Sequence, residues 1–342
     1  MSDLAARLAH YVEHVVPGAG DVQVDDLDRI YGGASRETYR LRLRYAENGR
    51  AVDRRLILRR DPSGSLIDTD RRIEFAAYRA FHGTSVPVPE ALWLETDPKW
   101  LDQPFFVMAE LSGFESSPQA LVAPPYADLA EEIGRRKWTI LGEIARADPK
   151  ALGLTDVMEV VEPADSWRRE LGYWEGVIDA DELEPQPIIR AAIRWLRKNP
   201  PPPPASLGVV HGDYRSGNFL YDGKGEIRGI LDWEMAHLGD PLEDLAWSLN
   251  RVWHWARDER AGGLLPKERA IRIWEESAGR SADRTALHWW ELFSSVKGQG
   301  IWASSQREYL DGPNKDPILA MSGWVMAVNQ DRAALETMGK LR

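Results

Sequence analysis

The chain has 342 residues, 43% of them hydrophobic, with no cysteine and a formal charge of −11. Its length and apolar content are ample for a sizeable core and suit two coupled lobes, and the lack of cysteine excludes a disulfide framework, a zinc–thiolate site and a cysteine nucleophile. The acidic balance argues against a general nucleic-acid binder, whose phosphate contacts need clustered Lys and Arg, and any anionic ligand must be held by a local device.

Met1 to Gly18 alternates Leu, Ala and Val with His and Glu and reads as a short amphipathic helix. It lacks a basic start followed by an apolar block, so it is not read as a secretion signal. No stretch approaches the roughly 20 apolar residues of a membrane span. The expectation is a cytoplasmic protein with no membrane or nucleic-acid partner, whose oligomeric state the sequence leaves open.

The first 110 residues read as strands around one helix. Leu27 to Tyr31 and Thr38 to Tyr45 are strand-like runs separated by the turn Gly32-Gly33-Ala34-Ser35. Val52 to Arg60 is a third, and its Leu56-Ile57-Leu58 is apolar on both faces, as a central strand would be. Asp70 to Phe81 has helical spacing, with Ile73, Ala76, Ala77 and Ala80 on one side. Ala91 to Leu94 and Pro104 to Met108 supply two further strands.

From about Tyr126 the pattern becomes mostly helical. Asp128 to Ala147 and the segments 165–177, 186–198 and 241–256 are periodic. Pro200 to Pro204 is five consecutive prolines, a stiff extended connector that cannot be helix. A rigid spacer inside a folded lobe is favoured over a docking ligand. Thirteen of the 15 tryptophans lie after residue 110, placed for core packing between helices and for lining a cleft. The chain thus divides into 1–110 and 111–342.

The strongest chemical signal is Val209-Val210-His211-Gly212-Asp213-Tyr214-Arg215-Ser216-Gly217-Asn218-Phe219-Leu220. Apolar pairs flank a polar, glycine-containing loop, which should be pinned between two short buried strands. Asp213 and Asn218 are five apart, so one side chain can face an incoming hydroxyl while the other turns towards a metal. Fourteen residues later Ile230-Leu231-Asp232-Trp233-Glu234 again places an acid at the end of an apolar strand. A carboxylate and an amide oxygen suit Mg²⁺ when phosphates complete its shell. Any one of these residues alone would read as a turn former or a solvated polar group; it is their order between apolar strands that carries the signal.

His-x-Asp-x₄-Asn followed by an Asp about 14 residues on resembles the catalytic loop and metal-binding Asp of protein kinases. The local wording, His-Gly-Asp-x₃-Gly-Asn and Leu-Asp-Trp-Glu, is closer to the aminoglycoside phosphotransferase and choline-kinase-like families. Gly239-Asp240-Pro241-Leu242-Glu243-Asp244-Leu245-Ala246 matches a segment of that family too. There Asp240 can cap a helix, Pro241 suits its first position and Glu243 completes a capping box, so Asp240 and Asp244 are assigned mainly to structure.

The resemblance, running from about Leu27 to Leu249, implies an α+β, protein-kinase-like two-lobed fold. It has a small antiparallel-sheet N-lobe and a mostly helical C-lobe. It also implies an ATP- and Mg²⁺-dependent phosphotransferase moving the γ-phosphate to a hydroxyl of a small-molecule acceptor. Asp213 would accept the hydroxyl proton, Asn218 and Asp232 would hold Mg²⁺, and His211 would brace the loop. Gly33 and Ser35 would contact phosphate from the Gly-Gly-x-Ser turn. The Ala109 carbonyl and Leu111 N–H would recognise adenine, with Phe105 to Met108 as the last strand of the small lobe.

Kinases place a Lys on the third strand, paired to a Glu on the next helix; here the strand carries Arg59, with Glu74 as its expected partner. Strand alternation puts Arg59 on the face of Ile57 and Arg60 on the other. Arg for Lys, and the wording Leu-Arg-Arg-x-Pro, resemble the branch of kinase-like domains related to those fused to acyl-CoA dehydrogenases. That branch makes a hydroxyacyl-CoA acceptor credible beside an aminoglycoside or another alcohol. A catalytically silent ATP-binding module is the remaining alternative. Acceptor-side candidates are Arg168-Arg169-Glu170, Tyr173-Trp174-Glu175, Trp253-His254-Trp255, His288-Trp289-Trp290-Glu291 and Gln306-Arg307-Glu308. The aromatic-rich helices favour a partly apolar, non-aminoglycoside acceptor.

Overall fold

A computed structural model describes residues 3–30, 37–61, 70–255 and 258–341. The Gly32–Ser35 turn, with Gly33 and Ser35, lies outside them. Helix α1 (Asp3–Val15) leads into strands β1 (Ala19–Ile30), β2 (Glu37–Glu47) and β3 (Arg50–Arg60). Helix α2 (Arg71–Phe81), β4 (Ala91–Glu95) and β5 (Phe105–Ala109) follow. The five strands form one antiparallel sheet in the order β1-β2-β3-β5-β4, the architecture expected from the sequence. β1 begins eight residues before the anticipated Leu27, because its early part alternates weakly and buries only Val24.

β3 is central and is covered on both faces. Leu56 and Leu58 pack with Leu8, Tyr11 and Val12 of α1, whereas Ile57 joins Ala77, Tyr78 and Phe81 of α2. The alternation of a pleated strand thereby assigns Arg59 to the α2 face. α2 starts at Asp70, whose side chain accepts the Arg72 N–H at 2.8 Å. Its buried residues are Arg71, Glu74, Ala77, Tyr78 and Phe81. The inward face is therefore turned from the Ile73–Ala76–Ala80 stripe, because α2 packs against a charged site as well as an apolar core.

The second lobe contains α3 (Pro118–Leu121), α4 (Ala130–Arg146), α5 (Ser166–Asp181) and α6 (Pro187–Lys198). Two small antiparallel pairings follow: β6 (Gly208–Val210) with β9 (His237–Gly239), and β7 (Phe219–Tyr221) with β8 (Ile227–Ile230). Then come α7 (Leu242–Leu249), the short β10 (Arg260–Ala261) and β11 (Leu265–Pro266), α8 (Lys267–Ala278), α9 (Arg284–Asp311), α10 (Pro317–Met321) and α11 (Ala327–Thr337). The 28-residue α9 is buried along most of its length and packs on α5, α6, α7 and α11. α4 and α8 cross closely at Gly142, where an added Cβ would lie 2.6 Å from Ser277. None of the described helices is long and apolar enough to cross a membrane.

The expected helix over 241–256 ends at Leu249. Asn250 turns extended, and its side chain caps a separate 3₁₀ turn, Arg251–Trp253. Pro200 to Pro204 is neither helix nor strand, as expected. Trp289 and Trp290 are core residues and not cleft-lining ones. Their indole N–H groups donate to Leu196 O at 3.1 Å and Asp240 Oδ2 at 2.9 Å.

Candidate active site

The loop from His211 to Asn218 runs between β6 and β7, both buried. Its path depends on Gly212, whose φ is +86° and whose absent Cβ would sit 2.3 Å from Met235 O. Asp244, the third residue of α7, accepts the backbone N–H groups of His211 (2.6 Å) and Gly212 (3.0 Å). Burial pushes this carboxyl up to about 6. The structural role assigned to Asp244 is the one it plays.

His211 is fully buried. Its Nε2 lies 2.9 Å from Leu231 O, while its Nδ1 accepts the Asp213 N–H at 3.1 Å. Those partners make Nε2 the protonated nitrogen of a neutral ring, and burial pushes the ring down to about 4. It is a brace between the two acid-bearing segments, with no proton to spare.

Asp213 is held by three side chains. Arg215 Nε lies 3.1 Å from both carboxylate oxygens, Asn218 Nδ2 donates to Oδ2 at 2.6 Å, and Trp247 Nε1 donates to Oδ1 at 2.8 Å. Asn218 is buried, and its amide nitrogen also reaches Asp213 O at 2.9 Å. With the nitrogen committed to Asp213, the amide oxygen faces the other way. Leu231 N donates to Asn218 O at 2.8 Å, so Asn218 and Asp232 sit side by side.

Asp232 occupies the left-handed region at φ +67°, a conformation non-glycine residues adopt at a cost, and one that collects at functional sites. Its N–H donates to the Tyr78 hydroxyl at 2.9 Å. Arg59 then closes the site from the small lobe. It is 8% exposed, with terminal nitrogens 2.7 Å from Glu74 Oε1 and 2.7 Å from Asp232 Oδ1, and Glu234 at 3.9 Å. Glu74 is completely buried and also pairs with Arg71 at 2.7 Å, which excludes a solvated helix charge. Desolvation opposes both charges, yet Glu74 and Asp232 hold Arg59 well above its ordinary value. Against the same desolvation, Arg59 and Arg215 hold Asp232 below its own.

The structure thus brings Asp213, Asn218, Asp232, Arg59 and Glu74 into one cluster. Ala109 ends β5, and Leu111 lies two residues beyond it, its side chain against Gly229 of β8. Arg60 points the other way, to Glu37 and the Leu101 carbonyl (3.0 Å). Sequence reasoning missed Trp247, Tyr78 and Arg215. Only Arg215, two residues from Asp213, had a local signal.

The donor set fits a hard divalent cation: a carboxylate and an amide oxygen on adjacent backbone segments. It also fits a polyphosphate, since the Arg59 Nε–H is buried without a partner.

A second polar cluster lies alongside. Glu243 was expected to complete a capping box; instead it is drawn inward, 2.8 Å from the buried Lys297 Nζ and 3.1 Å from His237 Nε2. Glu170 lies 3.6 Å from the same His237 nitrogen and 2.8 Å from Arg169 Nε. Glu170, His237 and Glu243 have donor atoms within 4.8 Å of one another, but Lys297 and Arg169 already neutralise both carboxylates. The group is an ion-pair network.

This geometry belongs to a kinase-like phosphotransferase. The model of the phosphotransferase enzyme family matches residues 26–288, and the chain belongs to that family. Among curated proteins, mouse acyl-CoA dehydrogenase family member 10 is 30% identical over 221 residues, which is 63% of this chain and 19% of that protein. Viomycin phosphotransferase of Streptomyces vinaceus is 28% identical over 153 residues, 42% of this chain and 49% of that protein. The chain spans about a fifth to a third of the acyl-CoA dehydrogenase relatives it matches. Among solved structures, a Ralstonia eutropha protein assigned to the aminoglycoside phosphotransferases superposes with a TM-score of 0.76 at 22% identity, covering 98% of each chain. A thermostable APH(4)-Ia mutant in complex with ADP and hygromycin B superposes at 0.57 and 16% identity, covering 96% of this chain and 98% of that one. These likenesses establish the protein-kinase-like two-lobed fold.

Proposed function

We propose that this chain is an ATP- and Mg²⁺-dependent kinase that moves the γ-phosphate of the nucleotide to a hydroxyl of a small molecule, in the cytoplasm. The observation that carries the reading is the shared cluster of Asp213, Asn218 and Asp232 facing Arg59. A proton acceptor, two oxygen ligands and a phosphate clamp are the parts phosphoryl transfer needs.

In this reading Asp213 takes the proton of the acceptor hydroxyl as its oxygen meets phosphorus. Arg215 and Asn218 orient the carboxylate. Asn218 Oδ1 and Asp232 hold Mg²⁺, which when bound neutralises charge on the phosphates. Arg59, fixed by Glu74, grips phosphate oxygens through its fork. Gly33 and Ser35 supply further phosphate contacts, while the Ala109 carbonyl and Leu111 N–H bind adenine where residues 1–110 meet residues 111–342.

The acceptor is taken to be a partly apolar alcohol. Trp247, Trp253 and Trp302 pack together beside Asp213, and the Arg215 guanidinium lies 4.9 Å over the Trp253 ring. Those indoles are buried, whereas the Arg215 guanidinium beside Asp213 is partly exposed and suits an acceptor carrying an anionic group better than a polycation. A hydroxyacyl-CoA thioester is the second reading, favoured by Arg59 in place of Lys and by the acyl-CoA dehydrogenase relatives.

The test is a Mg²⁺-ATP turnover screen across aminoglycosides, amino alcohols and hydroxyacyl-CoA thioesters. Transfer to a hydroxyl in one class and not the others supports the reading. ATP binding without transfer to any of them would favour a silent nucleotide-binding module.

A further inference from the structure

Arg215 and Asn218 belong to the same loop as Asp213 and move with it. Trp247 does not. Its indole N–H reaches Asp213 Oδ1 at 2.8 Å from the last turns of α7, and it is the only described donor to this carboxylate from outside the loop. We propose that Trp247 is a positioning residue for Asp213, tying the proton acceptor to the helical frame; this rests on the reading of Asp213 given above.

The helix that carries Trp247 grips the loop twice. Asp244 holds the backbone just before the acid, and one helical turn later Trp247 holds the acid's side chain. Between them, the carboxylate is fixed relative to α7 in place and in the rotation of its plane.

The indole is itself immobilised. It is 1% exposed, with the Trp253 ring centroid 5.2 Å from its own in a T-shaped contact and the Lys297 ammonium 5.4 Å from its ring. Lys297 comes from α9 and pairs with Glu243, which sits one turn before Trp247 on α7. Glu243 continues to His237 on β9, and His237 to Glu170 on α5. The buried ion-pair network therefore anchors the platform on which the Trp247 donor stands. A phenylalanine would occupy most of the same space without the N–H, so the donor can be separated from the volume.

The experiment compares Trp247→Phe with Trp274→Phe. Trp274 is a fully buried indole of α8 whose N–H has no partner, so its variant reports what shrinking a buried indole costs by itself. In each protein the ¹³Cγ chemical shift of Asp213 at one fixed pH, nucleotide affinity and turnover are measured. Losing the indole donor changes the surroundings of the carboxylate, so Trp247→Phe should shift the Asp213 ¹³Cγ resonance. Turnover should fall on the order of tenfold, with nucleotide affinity within about twofold. Trp274→Phe should leave that resonance and the turnover where they are.

Equal behaviour of the two variants would overturn the proposal. Should Trp247→Phe fail to fold, the wild-type indole ¹⁵N–¹H resonance decides. It should be protected from exchange and should shift when Asp213 is replaced in Asp213→Ala, and independence from Asp213 would overturn the proposal as well. A wild-type protein that transfers no phosphate would contradict the functional reading instead, and the Asp213 resonance would still settle the role of Trp247.

Discussion

Arg59 of the small lobe stands 2.7 Å from Asp232 of the large lobe. This ion pair, with Arg59 buried and Asp232 partly exposed, joins β3 to the carboxylate that follows β8. Glu74 on α2 supports it from the other side. Replacing Arg59 with Ala leaves Glu74 and Asp232 facing each other without their shared cation, so unfolding stability should fall by about 3 kcal/mol. Arg59→Lys keeps the charge but loses the two-pronged geometry, and should recover stability only in part. Chemical denaturation of both variants checks the order.

His237 gives the protein an alkaline limit. Burial lowers its proton affinity, but Glu170 and Glu243 more than offset this, with Arg169 opposing, and its pKa is raised to about 9. The unfolded imidazole titrates near 6.5. The stabilisation is therefore complete below about 6.5 and lost as pH rises through 9. The difference in Tm between wild type and His237→Gln should shrink steadily between pH 7 and pH 10.

Lys137 carries the opposite sign. It is fully buried in α4 without a hydrogen-bond partner, its ammonium 4.5 Å from the Trp138 ring, and desolvation lowers it to about 7. The unfolded chain binds that proton up to about pH 10.4, so the lysine penalises the fold most below pH 7. Lys137→Met should raise Tm at pH 6, with a gain that fades towards pH 10.

Gly212 is the narrowest point of the loop. Gly212→Ala meets both a positive φ and the Met235 carbonyl. It should cost on the order of 2 kcal/mol and detach Asp213 from its donors. The Tm read by differential scanning calorimetry and the turnover should fall together.

Much of the small lobe was legible because pleated strands repeat every second residue: Leu56-Ile57-Leu58 announced a two-sided strand, and Arg59 followed by alternation. The loop was legible because Asp213, Asn218 and Asp232 keep fixed spacing between apolar pairs. What escaped was set by distant contacts. Glu243 satisfies every local rule for a capping box, but Lys297, 54 residues later, outcompetes the helix terminus for its carboxylate. The end of α7 depends on Asn250 donating to Ser294 Oγ of α9. The Trp247–Asp213 bond spans 34 residues and has no local periodicity to reveal it.

The central claim is most directly tested by separating nucleotide binding from phosphate transfer in Asp213→Ala and Asp232→Asn. Asp213→Ala should bind ATP with Mg²⁺ about as tightly as wild type, yet transfer no phosphate. Asp232→Asn should lose the Mg²⁺-dependence of nucleotide binding. Wild-type turnover in Asp213→Ala, or unaltered Mg²⁺-dependence in Asp232→Asn, would contradict the claim.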